Sequence, residues 1–165
     1  MKEREIALSP EWRVFMAAET VLFASRHYLR KRDDFMGNML AAMDMMPEQG
    51  SALRLMMYES FSDSELEILA PVVIDIAVNG SVDNICIARD VLSKYRNKNV
   101  IKTSLNNVVD KYLLSPDDWV YRRLAELLTE VGFRGALEKL MLICKNSDND
   151  NIFEIYKDFA SIKTW

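Results

Sequence analysis

The sequence predicts an all-α protein of about nine short helices, and three observations carry that expectation. Half of the 165 residues are hydrophobic, yet only five are glycine and four proline, too few for a sheet protein with many tight turns. Helix start and stop signals recur along the chain. No stretch alternates apolar and polar residues with the period of two that a half-buried strand requires. The length suits one domain with its own core, or one short repeat array. The expected organisation is a single helical domain over residues 1–165, with N-terminal helices and a Met-rich segment in 1–61 and paired helices in 62–162.

The elements follow in order. "SPEWRVFMAAETVLFASRHYLRK" opens with Ser9 as N-cap and Pro10 at the first helical position, where a missing N–H costs nothing. Trp12, Phe15, Met16, Leu22, Phe23 and Leu29 make its apolar stripe. "DDFMGNMLAAMDMM" is the next helix, with Pro47 expected to stop it, and "GSALRLMMYESF" is a short third. "SDSELEILAPVVIDIAVNG" begins with a capping box, Ser62 and Glu65, and ends at Asn79-Gly80; Pro71 inside it is expected to kink or split it. "SVDNICIARDVLSKY" and "VIKTSLNNVVDKYLL" are joined by "RNKN". In "SPDDWVYRRLAELLTEVG", Ser115 is expected to cap and Pro116 to begin the helix. Asp117 and Asp118 then oppose the positive end of its dipole in the first turn, and Gly132 ends it. "FRGALEKLMLICK" and "SDNDNIFEIYKDFASI" complete the series.

Chemistry is hard to find in these residues. The one histidine, His27, sits among Arg26, Arg30, Lys31 and Arg32 with no carboxylate spaced to orient it, so it reads as a surface residue. Cys86 and Cys144 lie far apart in apolar stretches and read as buried free thiols of a reducing compartment. Neither they nor the lone histidine make a zinc set. No P-loop, GxGxxG or GxSxG is present. "NSDNDNIFE" lacks the glycine and the twelfth-position glutamate of a calcium loop and reads as a turn with a helix cap. "LAELLTEVGFRGALEKLM" fails as a helix-turn-helix, because Gly132 falls three residues late. No enzyme activity and no cofactor are expected. The net charge of −4 argues against nucleic acid and suits a cationic partner. "MKEREIALSPEW" lacks the apolar core of a signal peptide, and no apolar run is long enough to span a bilayer, so a cytoplasmic protein is expected.

One pattern goes beyond single helices. "DNICIARDVL", "DDWVYRRLA" and "NIFEIYKDF" begin at Asp83, Asp117 and Asn151, 34 residues apart each time. Six residues on stand Arg89, Arg123 and Lys157. Ile85, Trp119 and Phe153 align between them, as do Ile87, Tyr121 and Ile155. A fixed period of this length with two helices per unit is the mark of an α-solenoid. An acidic cap with a base six residues later resembles the HEAT and armadillo-like repeats. That resemblance implies stacked helical pairs over residues 62–162 and a ladder in which Asp83, Asp117 and Asn151 meet Arg89, Arg123 and Lys157 of neighbouring units, with Trp119 packed between units. The alternative is an irregular helical bundle.

Solenoids usually bind proteins. Stacking would bring Asp83, Asp117, Asp118, Asp148 and Asp150 onto one edge beside Trp119, an acidic surface for a basic partner. In size, acidity and lack of a catalytic site the chain resembles small bacterial immunity proteins. By that resemblance its partner would be a cognate toxin domain, a basic nuclease, blocked by direct occlusion of its active site. A scaffold or adaptor role is the alternative. So is a ligand sensor built on the seven methionines between Met36 and Met57.

Overall fold

Helix boundaries in the computed structural model, which describes residues 9–114 and 117–161, follow the capping signals closely. Among the described residues there are nine helices and no strand. They are α1 (Pro10–Arg30), α2 (Phe35–Asp44), α3 (Met46–Tyr58), α4 (Asp63–Asn79), α5 (Val82–Tyr95), α6 (Asn99–Tyr112), α7 (Asp118–Val131), α8 (Arg134–Lys145) and α9 (Asp150–Phe159). Ser9 caps α1 through its hydroxyl, which accepts from the Trp12 N–H at 3.2 Å. The capping box at Ser62 and Glu65 closes in both directions. Gly132 ends α7 in the left-handed conformation, φ 74°, where a side chain would be strained.

Several local expectations need correction. Pro47 does not stop α2; it lies in the first turn of α3, where its missing donor is harmless. Pro71 neither splits nor ends α4, which runs unbroken for 17 residues. The cap of α5 is Ser81, accepting from the Asn84 N–H, and Asp83 stands in the first turn behind it. Asn149, not Asn151, caps α9. Asp117 is itself the cap of α7, accepting from the N–H groups of Trp119 and Val120 at 3.0 and 3.3 Å. Ser115 and Pro116, expected in that role, lie outside the described residues.

The chain divides into two compact units, Met1–Met39 and Leu40–Trp165. In the first, α1 buries none of its residues. The Arg30 guanidinium lies over the Phe35 ring at 4.7 Å, and Arg32 clasps Asp34 with two bonds of 2.8 Å. The second unit holds a continuous apolar core in which Leu53, Leu66, Leu69, Leu105, Leu124, Leu127, Leu128 and Leu140 are wholly buried. Each such side chain contributes about 2 kcal/mol by leaving water.

Within the second unit each helix meets its next-but-one neighbour. α3 packs on α5, α5 on α7 and α7 on α9, while α4 packs on α6 and α6 on α8. Polar ties set the direction of two of these pairs. The Asn84 amide donates to Gln49 at 2.7 Å near the start of α3 and α5. At their far ends Lys94 donates to the carbonyls of Met56, Met57 and Glu59 at 2.9, 2.9 and 2.7 Å. α3 and α5 therefore run parallel. Lys94 also satisfies carbonyls that the end of α3 leaves without intrahelical donors. In the same way Lys98 meets Asp63 at one end of α4 and α6, and Tyr112 bonds to Asp75 and Asn79 at the other, so these two are parallel as well.

Candidate functional site

The expected ladder resolves into different contacts. Arg89 is buried, and its guanidinium reaches across to α7. There it donates to Glu126 at 2.9 Å, to Glu130 at 3.4 Å and to the Arg123 carbonyl at 3.3 Å. Its charge is thus met by two carboxylates one turn apart, not by the Asp117 cap. Arg123 instead stacks on Trp119 of its own helix at 4.8 Å, and Lys157 covers Phe153 of its own helix at 4.9 Å. α7 and α9 are joined by Arg122 and Asp158 at 2.8 Å. Glu126, Glu130 and Arg122 were not singled out by sequence reasoning. The available signal was a glutamate pair four residues apart on the helix facing an arginine.

The residues expected to meet a partner are all at the surface. Asp83, Asp117, Asp118, Asp148 and Asp150 are exposed. Trp119 is 62% exposed, so it does not pack between units. Asp118 on α7 and Asp150 on α9 lie in the first turns of two packed helices. The start of α7 thus presents an exposed indole with the Arg123 guanidinium over its ring, next in sequence to two carboxylates of which Asp117 is committed to the helix N-terminus. An indole so braced loses little rotamer freedom on binding, a trait of interface anchors.

A second surface was not foreseen. Between parallel α4 and α6 lies an open cleft of about 900 Å³. Its lining carries three carboxylates, Asp63, Glu67 and Asp75, against one cation, Lys111. The salt bridge of Lys98 with Asp63 ties the two helices near one end. At the other end the Asn79 amide donates to Asp75 at 3.0 Å and to the Tyr112 hydroxyl at 2.7 Å, while Tyr112 itself donates to Asp75. Burial, and then the Asp75 carboxylate, push the Tyr112 phenol well above its ordinary value, so it remains a donor at physiological pH. Pro71 and Ser104 form part of the wall. Ser104 is only 8% exposed, and its hydroxyl has no hydrogen-bond partner among the described residues.

Other candidates sort quickly. His27 is exposed. Both cysteines are free; Cys144 is buried as expected, but Cys86 is exposed. Burial pushes the Cys144 thiol up to about 11, which leaves it protonated and unreactive at neutral pH. The methionines divide: Met39, Met43 and Met56 are core residues, whereas Met45 and Met46 stand exposed. No helix among the described residues is long and apolar enough to cross a membrane. Compared with known proteins, the chain matches no family model, no curated sequence and no solved structure.

Proposed function

We propose that this chain is a protein-binding module that captures a basic partner through the acidic end of its odd-numbered helices, centred on Trp119. The observation that carries the reading is the exposed Trp119, covered by Arg123 and next in sequence to the exposed Asp117 and Asp118. Tryptophan and arginine dominate the energetic centres of protein interfaces, and surrounding carboxylates speed the capture of a cationic surface. Parallel next-but-one packing supports a HEAT-like solenoid as the scaffold, with Asp83, Asp148 and Asp150 extending the acidic edge. The narrower form of the reading is an immunity protein that occludes the active site of a cognate toxin, with an adaptor role as the alternative.

The test is capture of the partner from the native host at low salt, followed by binding of the purified pair. The expected partner is a single basic protein bound in equal amount. Trp119→Ala should weaken it by about 2 kcal/mol or more. Asp117→Asn with Asp118→Asn should slow its association without unfolding the protein, because asparagine caps a helix as well as aspartate does. A partner that binds both variants as tightly as the wild type would refute the reading.

A further inference from the structure

We infer that the cleft between α4 and α6 is a binding groove for an extended, lysine-bearing segment of a protein. The inference rests on the reading of the chain as a binder of a basic protein, but it concerns a different set of residues, which does not include Trp119. Three observations converge on it. First, the carboxylates of the wall outnumber its cations three to one. Asp63 is engaged by Lys98 and Asp75 by Tyr112 and Asn79, which leaves the exposed Glu67 carboxylate as an acceptor that no neighbour engages among the described residues.

Second, Pro71 stands in the middle of α4 and in the wall of the cleft. Proline has no N–H, so the carbonyl of Glu67, four residues earlier, lacks its helical donor. Glu67 is exposed, so that carbonyl is open to water or to a donor brought by a ligand. Third, Ser104 on the opposing helix is more than nine-tenths buried, lines the same cleft and has no partner for its hydroxyl among the described residues. The residue is buried but its hydroxyl oxygen opens onto the cleft, where it can bond a ligand. A carboxylate, a free carbonyl and a free hydroxyl are three acceptors, and a lysine ammonium has three donors.

The length of the cleft sets the form of the ligand. From Asp63 to Asp75 the helix rises roughly 18 Å at 1.5 Å per residue, which matches about five residues of extended chain. Side-chain ties join the two helices near both ends of the cleft, so a segment enters it from its open side and lies along it. Apolar side chains of Val72, Val100 and Val108 in the wall offer contact for the aliphatic stems of lysine.

The test uses the isotope-labelled full chain and a penta-lysine peptide, acetylated and amidated, at low salt. The expected result is saturable shifts of the amide resonances around Glu67, Val72 and Ser104. Glu67→Gln with Ser104→Ala should raise Kd about tenfold while the melting temperature holds. Pro71→Ala gives an independent check. It restores the N–H to the Glu67 carbonyl, so it should raise the melting temperature and yet weaken the peptide. Shifts confined to the Trp119 end, equal binding of a penta-glutamate peptide, or wild-type affinity in these variants would each overturn the groove. Asp117→Asn with Asp118→Asn should leave peptide binding in the cleft unchanged. If the natural partner is lost on changing Trp119 but is indifferent to Glu67, Pro71 and Ser104, the groove fails and the proposed function stands.

Discussion

A guanidinium among buried helices destabilises a protein unless its charge and its donors are met. Arg89 meets that demand with two glutamates and one carbonyl of α7, although its Nε has no partner among the described residues. Glu126 and Glu130 are 37% and 47% exposed, so water screens much of the attraction. Removing the arginine leaves two carboxylates that can still be hydrated. Arg89→Ala should therefore cost about 2 kcal/mol, below the range for a fully buried pair, and Arg89→Met should cost less because it keeps the packing. Urea unfolding measures both; equal midpoints for Arg89→Ala and wild type would mean that the cluster contributes nothing. The sequence marked Arg89 by its spacing from Arg123 but not its partners, which sit 37 and 41 residues away. It also misread Cys86 and Trp119 as buried. The buried positions of α5 are Asn84, Ile85, Ala88, Arg89, Val91, Leu92 and Tyr95, and Cys86 falls off that stripe. Those of α7 are Tyr121, Leu124, Ala125, Leu127, Leu128 and Val131, and Trp119 falls off that one. Apolar residue type outweighed angular position in the reading of both.

At the scale of the element, caps were the most legible features because they are local: a serine before a proline, or a serine three residues before a glutamate, needs no tertiary partner. The caps that shifted, Ser81 for Asp83 and Asn149 for Asn151, shifted by two residues where several capping types crowd together. The 34-residue register therefore holds for side-chain type, whereas the capping positions stand 36 and then 32 residues apart, from 81 to 117 to 149. Two helix-ending glycines make a sharper test. At Gly132 a Cβ would meet nothing within 4 Å, so only the positive φ opposes a side chain, and Gly132→Ala should cost about 1 kcal/mol. At Gly80 the φ is ordinary, but a Cβ would stand 2.6 Å from the Ile76 carbonyl oxygen. Backbone must move there, and Gly80→Ala should cost more, about 2 kcal/mol. The two unfolding midpoints decide; a costlier Gly132→Ala would reverse the argument.

Across the whole molecule, the buried ionisable groups give stability a direction in pH. Burial raises Cys144 and Tyr121, and raises Tyr112 with help from Asp75. Each is an acid whose neutral form the fold prefers. Its stabilisation is complete below the unfolded value and is lost as pH climbs towards the folded one, for Cys144 from 9.0 to about 11. The melting temperature should fall across that window, and Cys144→Ala should flatten part of the fall; a level profile would contradict the burial of these groups. The all-α class was legible from composition and capping. The division after Met39 was not, because residues 40–61 have the same helical character as those around them and their attachment to α5 depends on Gln49, Lys94 and Tyr95.

The ties between next-but-one helices have a consequence for synthesis. Those that join α3 to α5, α4 to α6, α5 to α7, α6 to α8 and α7 to α9 span only 29 to 41 residues. Loop-closure entropy grows slowly with length, so each joining step carries a similar, modest cost, and none waits for a remote part of the chain. The contacts of α3 with α5 are complete once Tyr95 has emerged. Folding can therefore start on the ribosome and advance helix by helix as the rest of the polypeptide appears.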